Sequence, residues 1–531
     1  VLKRLILCSL SLGLIFSFAG CTQKSNSNRQ AIHIGNGGEP KDLDPHITTG
    51  VPEHHIIQNL FEPLVSKDPR TLEPVPAVAT KWEVSKDGKK YVFHLRKEAR
   101  WSNGDPVTAQ DFVYSWTRLL KPETAAEYAY QGHYIIGGKE FNSGKLKDAS
   151  KLGIKAIDEH TIEVNLVNPT PFFLSLLYHH SLYPVHKATV EKYGAKWTRP
   201  ENMVSNGAFK LAKWEMNKVI TLVPNPHYWD RQSVKLEEAN FYPVDNLDTE
   251  EKMFRSNTLQ VTNEVPLEKL PHWRGDKTGV FQNYAYLGSY FYWFNVKKAP
   301  MDNKNVRKAL SLAIDRERLV TFVTKGNQMP GTMYVPPGTA GYNPIPRLPK
   351  DLSRLAEAKQ LLKQAGYGEG LKKLPKIELL YNTHEGHKKI AQAIQEMWKN
   401  NLGIEVELVN QEWKVYLDSM HTGNFQVGRM GWIGDYNDPN TFLDMVMTGN
   451  GNNLANYSNP KYDAIMEQAA KERDASKRFK YFSQAEDIIL DDTPLMPIYI
   501  YTRNYLKNSS VQGWFNNIED IHPLKYVSLT F

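Results

Sequence analysis

The chain reads as an α/β protein of two or three lobes. Its 531 residues exceed what one hydrophobic core holds, since cores stop growing beyond roughly 250–300 residues. Its composition, 41% apolar and 23% charged, is that of an ordinary globular protein. Short alternating segments interleave with amphipathic ones along the whole length. No periodic repeat is present, and no low-complexity tract beyond one near the N-terminus.

The first element is a targeting segment. Lys3 and Arg4 form a basic start, and Leu5 to Ala19 is an apolar run too short to span a bilayer comfortably. "FAGC", Phe18 to Cys21, resembles a bacterial lipoprotein box, with Phe18 where Leu is commoner. Residues 1–20 are therefore expected to be a signal peptide, Cys21 the lipidated residue, and 21–30 a polar, flexible tether. Cys8 and Cys21 are the only cysteines, so the processed chain is expected to hold no disulfide and no thiolate metal site. Cutting before Cys21 takes 65 basic residues to 63 against 58 acidic, a net of +5. The charges are interspersed and no Lys/Arg block appears, which argues against a nucleic-acid partner.

The elements then follow in order. "KYVFHL" (Lys90–Leu95) and "TIEVNL" (Thr161–Leu166) alternate with period two and predict half-buried strands. "SNGD" at Ser102–Asp105 is a turn. "TAQD" at Thr108–Asp111 resembles a capping box opening the helix that continues to Leu120. The Pro-rich stretch Pro330–Pro349 predicts a surface loop or a hinge flank. Leu355, Ala358, Leu361, Leu362 and Ala365 share one helix face, with Gly366 as the stop. "KIELLYN" and "IEVELVN" flank a helical "HKKIAQAIQEMWKNN", a β-α-β unit.

Enzyme and cofactor signatures are scarce. "HEGH" at His384–His387 lacks the spacing that puts two metal ligands on one helical face. There is no Gly-x-Ser-x-Gly elbow, phosphate loop or Cys pair. "GNGGEP" at Gly35–Pro40 has the wrong spacing for a dinucleotide turn. His54-His55 and His179-His180 are adjacent pairs whose side chains would diverge on a strand or helix, leaving surface or hydrogen-bonded roles as the default. Aromatics reach 11%, with 27 Tyr and 12 Trp, a supply that suits binding walls and cores alike.

"GWIGDYNDPNTF", Gly431 to Phe442, sets Asp435 among aromatics in a Gly- and Pro-punctuated turn. Asp435 reads either as a turn or cap residue or as the acceptor of a cation. Asp438 is the stronger candidate cap for a helix around Phe442–Met447.

Four further stretches carry a resemblance. "WSNGDPVTAQDFVYSW" (Trp101–Trp116), "VSNGAFKLAKWEMNKVITLVPNPHYWD" (Val204–Asp230), "VRKALSLAIDRERLV" (Val306–Val320) and "VNQEWKVYLDSMHTGNF" (Val409–Phe425) are similar to the periplasmic oligopeptide-binding proteins of ABC importers, the family 5 solute-binding lipoproteins. The likeness runs from about Ile32 to near the C-terminus, in order. It implies a three-lobed periplasmic-binding-protein fold: lobe I from 31–61, 186–286 and 502–531, lobe II from 62–185, lobe III from 287–501. Lobes I and III would close as jaws, with the chain crossing near Tyr286 and again near Tyr501.

The resemblance also implies the site. Asp435 matches an aspartate that pairs with a peptide's α-ammonium. Arg429 and His387 match positions that answer the carboxylate of ligands of different length, and Lys325 lies beside another. Trp413, Trp432, Tyr128, Tyr286 and Tyr501 match cleft-wall aromatics, with core packing as their competing reading, and Val51 and His179 align with cleft positions. Three charged positions of the family stand neutral here, at Thr49, Trp293 and Met420, which implies weaker acceptance of charged side chains. The expected function is an exported, membrane-anchored, monomeric peptide receptor that delivers to a permease and needs no cofactor or metal. A receptor specialised for murein tripeptide or another small ligand is the alternative, and an exported hydrolase or peptidase is the competing class.

Overall fold

The computed structural model describes residues 29–368 and 370–531. The signal peptide, Cys21 and nearly all of the tether lie outside the described residues. The fold is α/β, as expected, and is organised around three sheets.

The first sheet has the order Ala31–Gly35, Glu238–Tyr242, Val219–Pro224, Phe209–Glu215. Its first strand runs parallel to Glu238–Tyr242 and the remaining pairs are antiparallel. The second sheet is antiparallel throughout, in the order Ala79–Val84, Lys90–Leu95, Thr161–Asn165, Ile154–Asp158. The third has six strands: Met329–Pro330, Leu495–Leu506, Phe281–Phe294, Val427–Ile433, Ile377–Asn382, Val406–Gln411. Each sheet draws its strands from one of the ranges assigned above to lobes, except that Phe281–Phe294 and Leu495–Leu506 run across the boundaries between I and III.

Local chemistry accounts for the elements. In Lys90–Leu95 the period-two pattern buries Tyr91, Phe93 and Leu95. Helix Ala109–Leu120 opens on a reciprocal capping box between Thr108 and Asp111 and buries Phe112, Trp116, Leu119 and Leu120. Strands Ile377–Asn382 and Val406–Gln411 pair in parallel from Ile377↔Val406. The helix between them, Glu385–Leu402, buries Ile390, Ala391, Ile394 and Trp398. It stops at Gly403, whose φ of 68° suits a residue without Cβ.

The 330–349 stretch departs from a simple surface loop. Tyr334 and Val335 are wholly buried, because their backbone N–H groups donate to the buried Glu486 carboxylate at 2.8 and 2.9 Å. The exposed residues lie between Pro337 and Pro346, interrupted by the buried Thr339, Tyr342 and Pro344, with Ile345 61% exposed.

The two long strands pair from Phe281↔Leu506 to Trp293↔Leu495, with a break between Ala285 and Ser289. Inside the break, Leu287 N donates to Ile518 O at 2.7 Å and Leu287 O accepts from Gly434 N at 2.8 Å. The ladder is interrupted without orphaning those peptide groups.

Candidate functional site

A cavity of about 590 Å³ is lined by strands of the third sheet, by residues just beyond strands of the first, and by Tyr128 and Tyr178–His180. One wall is strand Val427–Ile433 with the loop after it. This strand pairs with Phe281–Phe294 along its whole length, from Phe294↔Val427 to Gly288↔Ile433. On its other side it meets Ile377–Asn382 only at Leu379↔Val427 and Leu380↔Gly428. Beyond Gly428 no strand covers that second edge. Gly434 N points to Leu287 O, so the alternation of an antiparallel strand turns the peptide groups of Gly431 and Ile433 the other way, toward the cavity. Gly431 is required here: a Cβ would collide with the Tyr501 hydroxyl and crowd Arg429 Nη2 at 3.2 Å.

Asp435 stands at one end, its side chain 6% exposed. Gln131 Nε2 donates to Oδ2 at 2.9 Å, and the Tyr128 hydroxyl donates to Oδ1 at 3.4 Å. His179 Nε2 lies 3.3 Å from Oδ1. Among the described residues no Lys or Arg comes within ion-pair distance. The loop is pinned by Asp438, which accepts from Asn440 N at 3.0 Å and takes both arms of Arg478 at 2.6 and 2.9 Å. Asp438, not Asp435, therefore answers the first N–H of the short helix Asn440–Leu443, although the residue at the N-cap itself is Pro439. Asp444, buried beside this loop, accepts from Tyr134 Oη at 2.9 Å and Asn440 Nδ2 at 3.0 Å. Burial, with a lesser push from the Asp435 charge, raises its carboxyl to about 8.

His179 and His180 do not diverge as expected, whereas His54 and His55, on helix Val51–Leu60, do, toward His180 and Asp520 respectively. His179 precedes a 3-10 turn in an extended conformation, neither strand nor helix, and its ring lies 4.2 Å from that of His180. His54 Nδ1 sits 3.3 Å from His180 Nδ1, joining the two pairs. Burial drives His54 down to about 3 and His180 well below the ordinary range, so both stay neutral. Among the described residues no group of three or more His, Cys, Asp or Glu is arranged to hold a metal ion.

Arg429 marks the other end. It is buried, donates from Nη2 to Tyr501 Oη at 2.6 Å and from Nη1 to Asn382 Oδ1 at 3.4 Å, and lies 4.6 Å over the Tyr290 ring. Its Nε has no hydrogen-bond partner, and no carboxylate of the described residues lies within ion-pair distance. His387 approaches the Tyr290 hydroxyl at 3.3 Å. Burial and the neighbouring guanidinium hold it well below the ordinary histidine range. Beside it, His384 Nε2 is 3.2 Å from Glu264 Oε2.

Asp435, Arg429, His387, Trp413, Trp432, Tyr128, Tyr286, Tyr501, Val51 and His179 all line this cavity. Lys325 does not. It caps the segment Leu319–Thr324 and turns its ammonium to Glu268 at 3.4 Å, leaving Thr324 as the lining residue. Of the three neutral replacements, Thr49 lines the cavity. Trp293 is wholly buried against Phe291 at 5.1 Å, and Met420 is buried in the same cluster; neither faces the cavity. Sequence reasoning did not single out Gln131, Tyr290 or Asn382, whose side chains hold the charged groups.

The family model "Bacterial extracellular solute-binding proteins, family 5 Middle" matches residues 73–453. The periplasmic oligopeptide-binding protein of Salmonella typhimurium is 40% identical over 494 residues, covering 92% of this chain and 90% of its own. The periplasmic murein peptide-binding protein of Escherichia coli is 38% identical over 529 residues, 97% of this chain and 96% of its own. A solved structure of the Escherichia coli murein tripeptide binding protein superposes with a TM-score of 0.91 at 38% identity, covering 94% of this chain and 98% of that one. The unliganded open form of that protein, at the same identity and covering 94% of this chain and 97% of that one, gives 0.65.

Proposed function

Because the chain belongs to the bacterial extracellular solute-binding proteins of family 5, we propose that it is a peptide receptor outside the cytoplasmic membrane that delivers short peptides to an ABC importer. One observation carries the reading. A buried carboxylate and a buried guanidinium stand at opposite ends of one cavity, neither paired to an ion of fixed opposite charge, with an uncovered strand edge between them. A peptide supplies the complement: an ammonium for Asp435, a carboxylate for Arg429, and main-chain groups for the peptide units of Gly431 and Ile433. Burying either protein charge without a partner is costly, so the occupied cavity is the lower-energy arrangement.

The jaws are lobes I and III, hinged at the crossings near Tyr286 and Tyr501. Ligand shifts an open–closed equilibrium, and the closed form is what the permease meets. The TM-score of 0.91 to the murein tripeptide binding protein against 0.65 to its unliganded open form supports reading this conformation as closed. The receptor acts as a monomer, anchored by lipid at Cys21, and performs no chemistry on its ligand. His387 serves as a second carboxylate-end contact for ligands of another length. A murein tripeptide receptor is the second reading, favoured by the near-complete coverage of the murein peptide-binding relative; it would use the same ammonium anchor.

Calorimetry with free and N-acetylated peptides tests the reading. Acetylation should abolish most of the affinity; equal binding of both forms would remove Asp435 from its role. Catalytic release of fragments from added peptides would replace the receptor by a peptidase.

A further inference from the structure

We propose that His179 makes peptide capture proton-linked: the closed, occupied site admits the ligand's ammonium only when His179 is neutral, so acidification weakens binding. The inference rests on the peptide-receptor reading and deepens it.

The geometry comes from three contacts. His179 Nδ1 accepts from Ser181 N at 3.4 Å and faces Ser181 Oγ at 2.8 Å. A backbone N–H can only donate, so the neutral ring carries its proton on Nε2. Nε2 in turn lies 3.3 Å from Asp435 Oδ1. A second proton on Nδ1 gives up the longer Ser181 N–H contact, at 3.4 Å, and is accepted by the Ser181 hydroxyl at 2.8 Å. The imidazole thus fits its niche in either charge state, and Asp435 is its only ionic partner among the described residues.

The surroundings leave His179 as the group that changes. The Tyr128 ring lies tilted against it at 4.3 Å, and burial keeps that hydroxyl a phenol. His180, and His54 behind it, are held neutral. His55 faces Asp520, which is taken by Arg503 and His522. Farther out, Lys67 and Glu519 neutralise each other at 2.5 Å, and Asp444 stays protonated below about 8. Glu39, Asp245, Glu264 and Glu412 also line the cavity, but among the described residues Asp435 carries the one negative charge within ion-pair distance of His179. With His179 protonated, that charge is already answered. An arriving ammonium would then leave two cations on one buried carboxylate, an uncompensated charge of the kind interiors disfavour. Capture instead sends the Nδ1 proton of the imidazolium to the solvent buffer, and no other bond changes.

The test is calorimetric titration of the described chain with tri-, tetra- and penta-alanine between pH 5.0 and 7.5. On the acid side, Kd is expected to rise toward about tenfold per pH unit, the limit for one fully excluded proton. On that acid side, two buffers of different ionisation heat should show net proton release as peptide binds. His179→Asn should flatten both signals. A wild-type affinity independent of pH, no proton release, or a slope that persists in His179→Asn and so belongs to Asp435, would each overturn the proposal while leaving the receptor reading standing. If His179→Asn fails to fold, His179→Gln, whose amide keeps a donor toward Asp435, takes its place under the same two readouts. Failure of all three peptides to bind at any pH would overturn the proposal together with the reading beneath it.

Discussion

The two ends of the cavity hold opposite charges in different ways. Asp435 is wired to its surroundings by Gln131, Tyr128 and His179, side chains from a different part of the chain, 128–179, than its own loop. Arg429 is held by groups with no formal charge, Tyr501, Asn382 and the Tyr290 face, and its Nε remains unanswered. The acidic end therefore has a built-in stand-in for a cation, whereas the basic end has none for an anion. Such an arrangement fixes where a ligand starts more firmly than where it ends.

The largest expected effect comes from removing the wired charge. Asp435→Asn should weaken a free peptide by about 100-fold, near 3 kcal/mol, as truncating a buried charge pair does, and calorimetry reads it directly. If the loss is under about threefold, the acidic end is not the anchor. Arg429→Met comes next and should split two readouts. Affinity for a peptide with a free carboxylate should fall about tenfold, while urea unfolding of the empty protein should show equal or greater stability, because a buried unpaired guanidinium is replaced by apolar volume. A clear loss of stability would mean Arg429 has a structural partner, and the contrast between the ends would collapse.

A third prediction, read in stability rather than affinity, concerns Asp444, which sharpens the acidic end. Its carboxyl is raised from 3.8 to about 8, so the native state holds a proton that the unfolded chain loses. That contribution is complete below pH 3.8 and is lost as pH rises through about 8. Between pH 5 and 8 the wild type should lose up to about 1.4 kcal/mol per pH unit relative to Asp444→Asn. Urea midpoints at several pH values check this; parallel curves would mean Asp444 is ionised and shares the negative charge now assigned to Asp435 alone.

Much of the fold was legible because it is written in local chemistry. The Thr108–Asp111 cap, the strand at Lys90–Leu95 and the helix ending before Gly366 depend on neighbours within a few residues. The site was legible by another route. From its own residues Asp435 was a turn aspartate or a cation acceptor, and only the resemblance chose. That route supplies positions but not directions, which is why Trp293 and Met420 aligned with cleft residues yet point into a core. Lys325 likewise turned outward to a local acid. Gln131 carried no signal at all, since a neutral amide in a 3-10 turn looks like any surface residue until residue 435 is brought beside it. The meeting of His54 with His180 spans 126 positions, and no local pattern encodes it.

The lapse in pairing between the two long strands has a mechanical consequence. If the two jaws move as proposed, it would act as a flexure, concentrating compliance in the few residues between Ala285 and Ser289, where the ladder is interrupted. Rings mounted beside a flexure sweep the shortest arc when the mouth gapes. Tyr286 and Tyr501, 6.0 Å apart there, would hold nearly constant spacing through the whole stroke, making them the first surface a guest can rest on and the last it leaves.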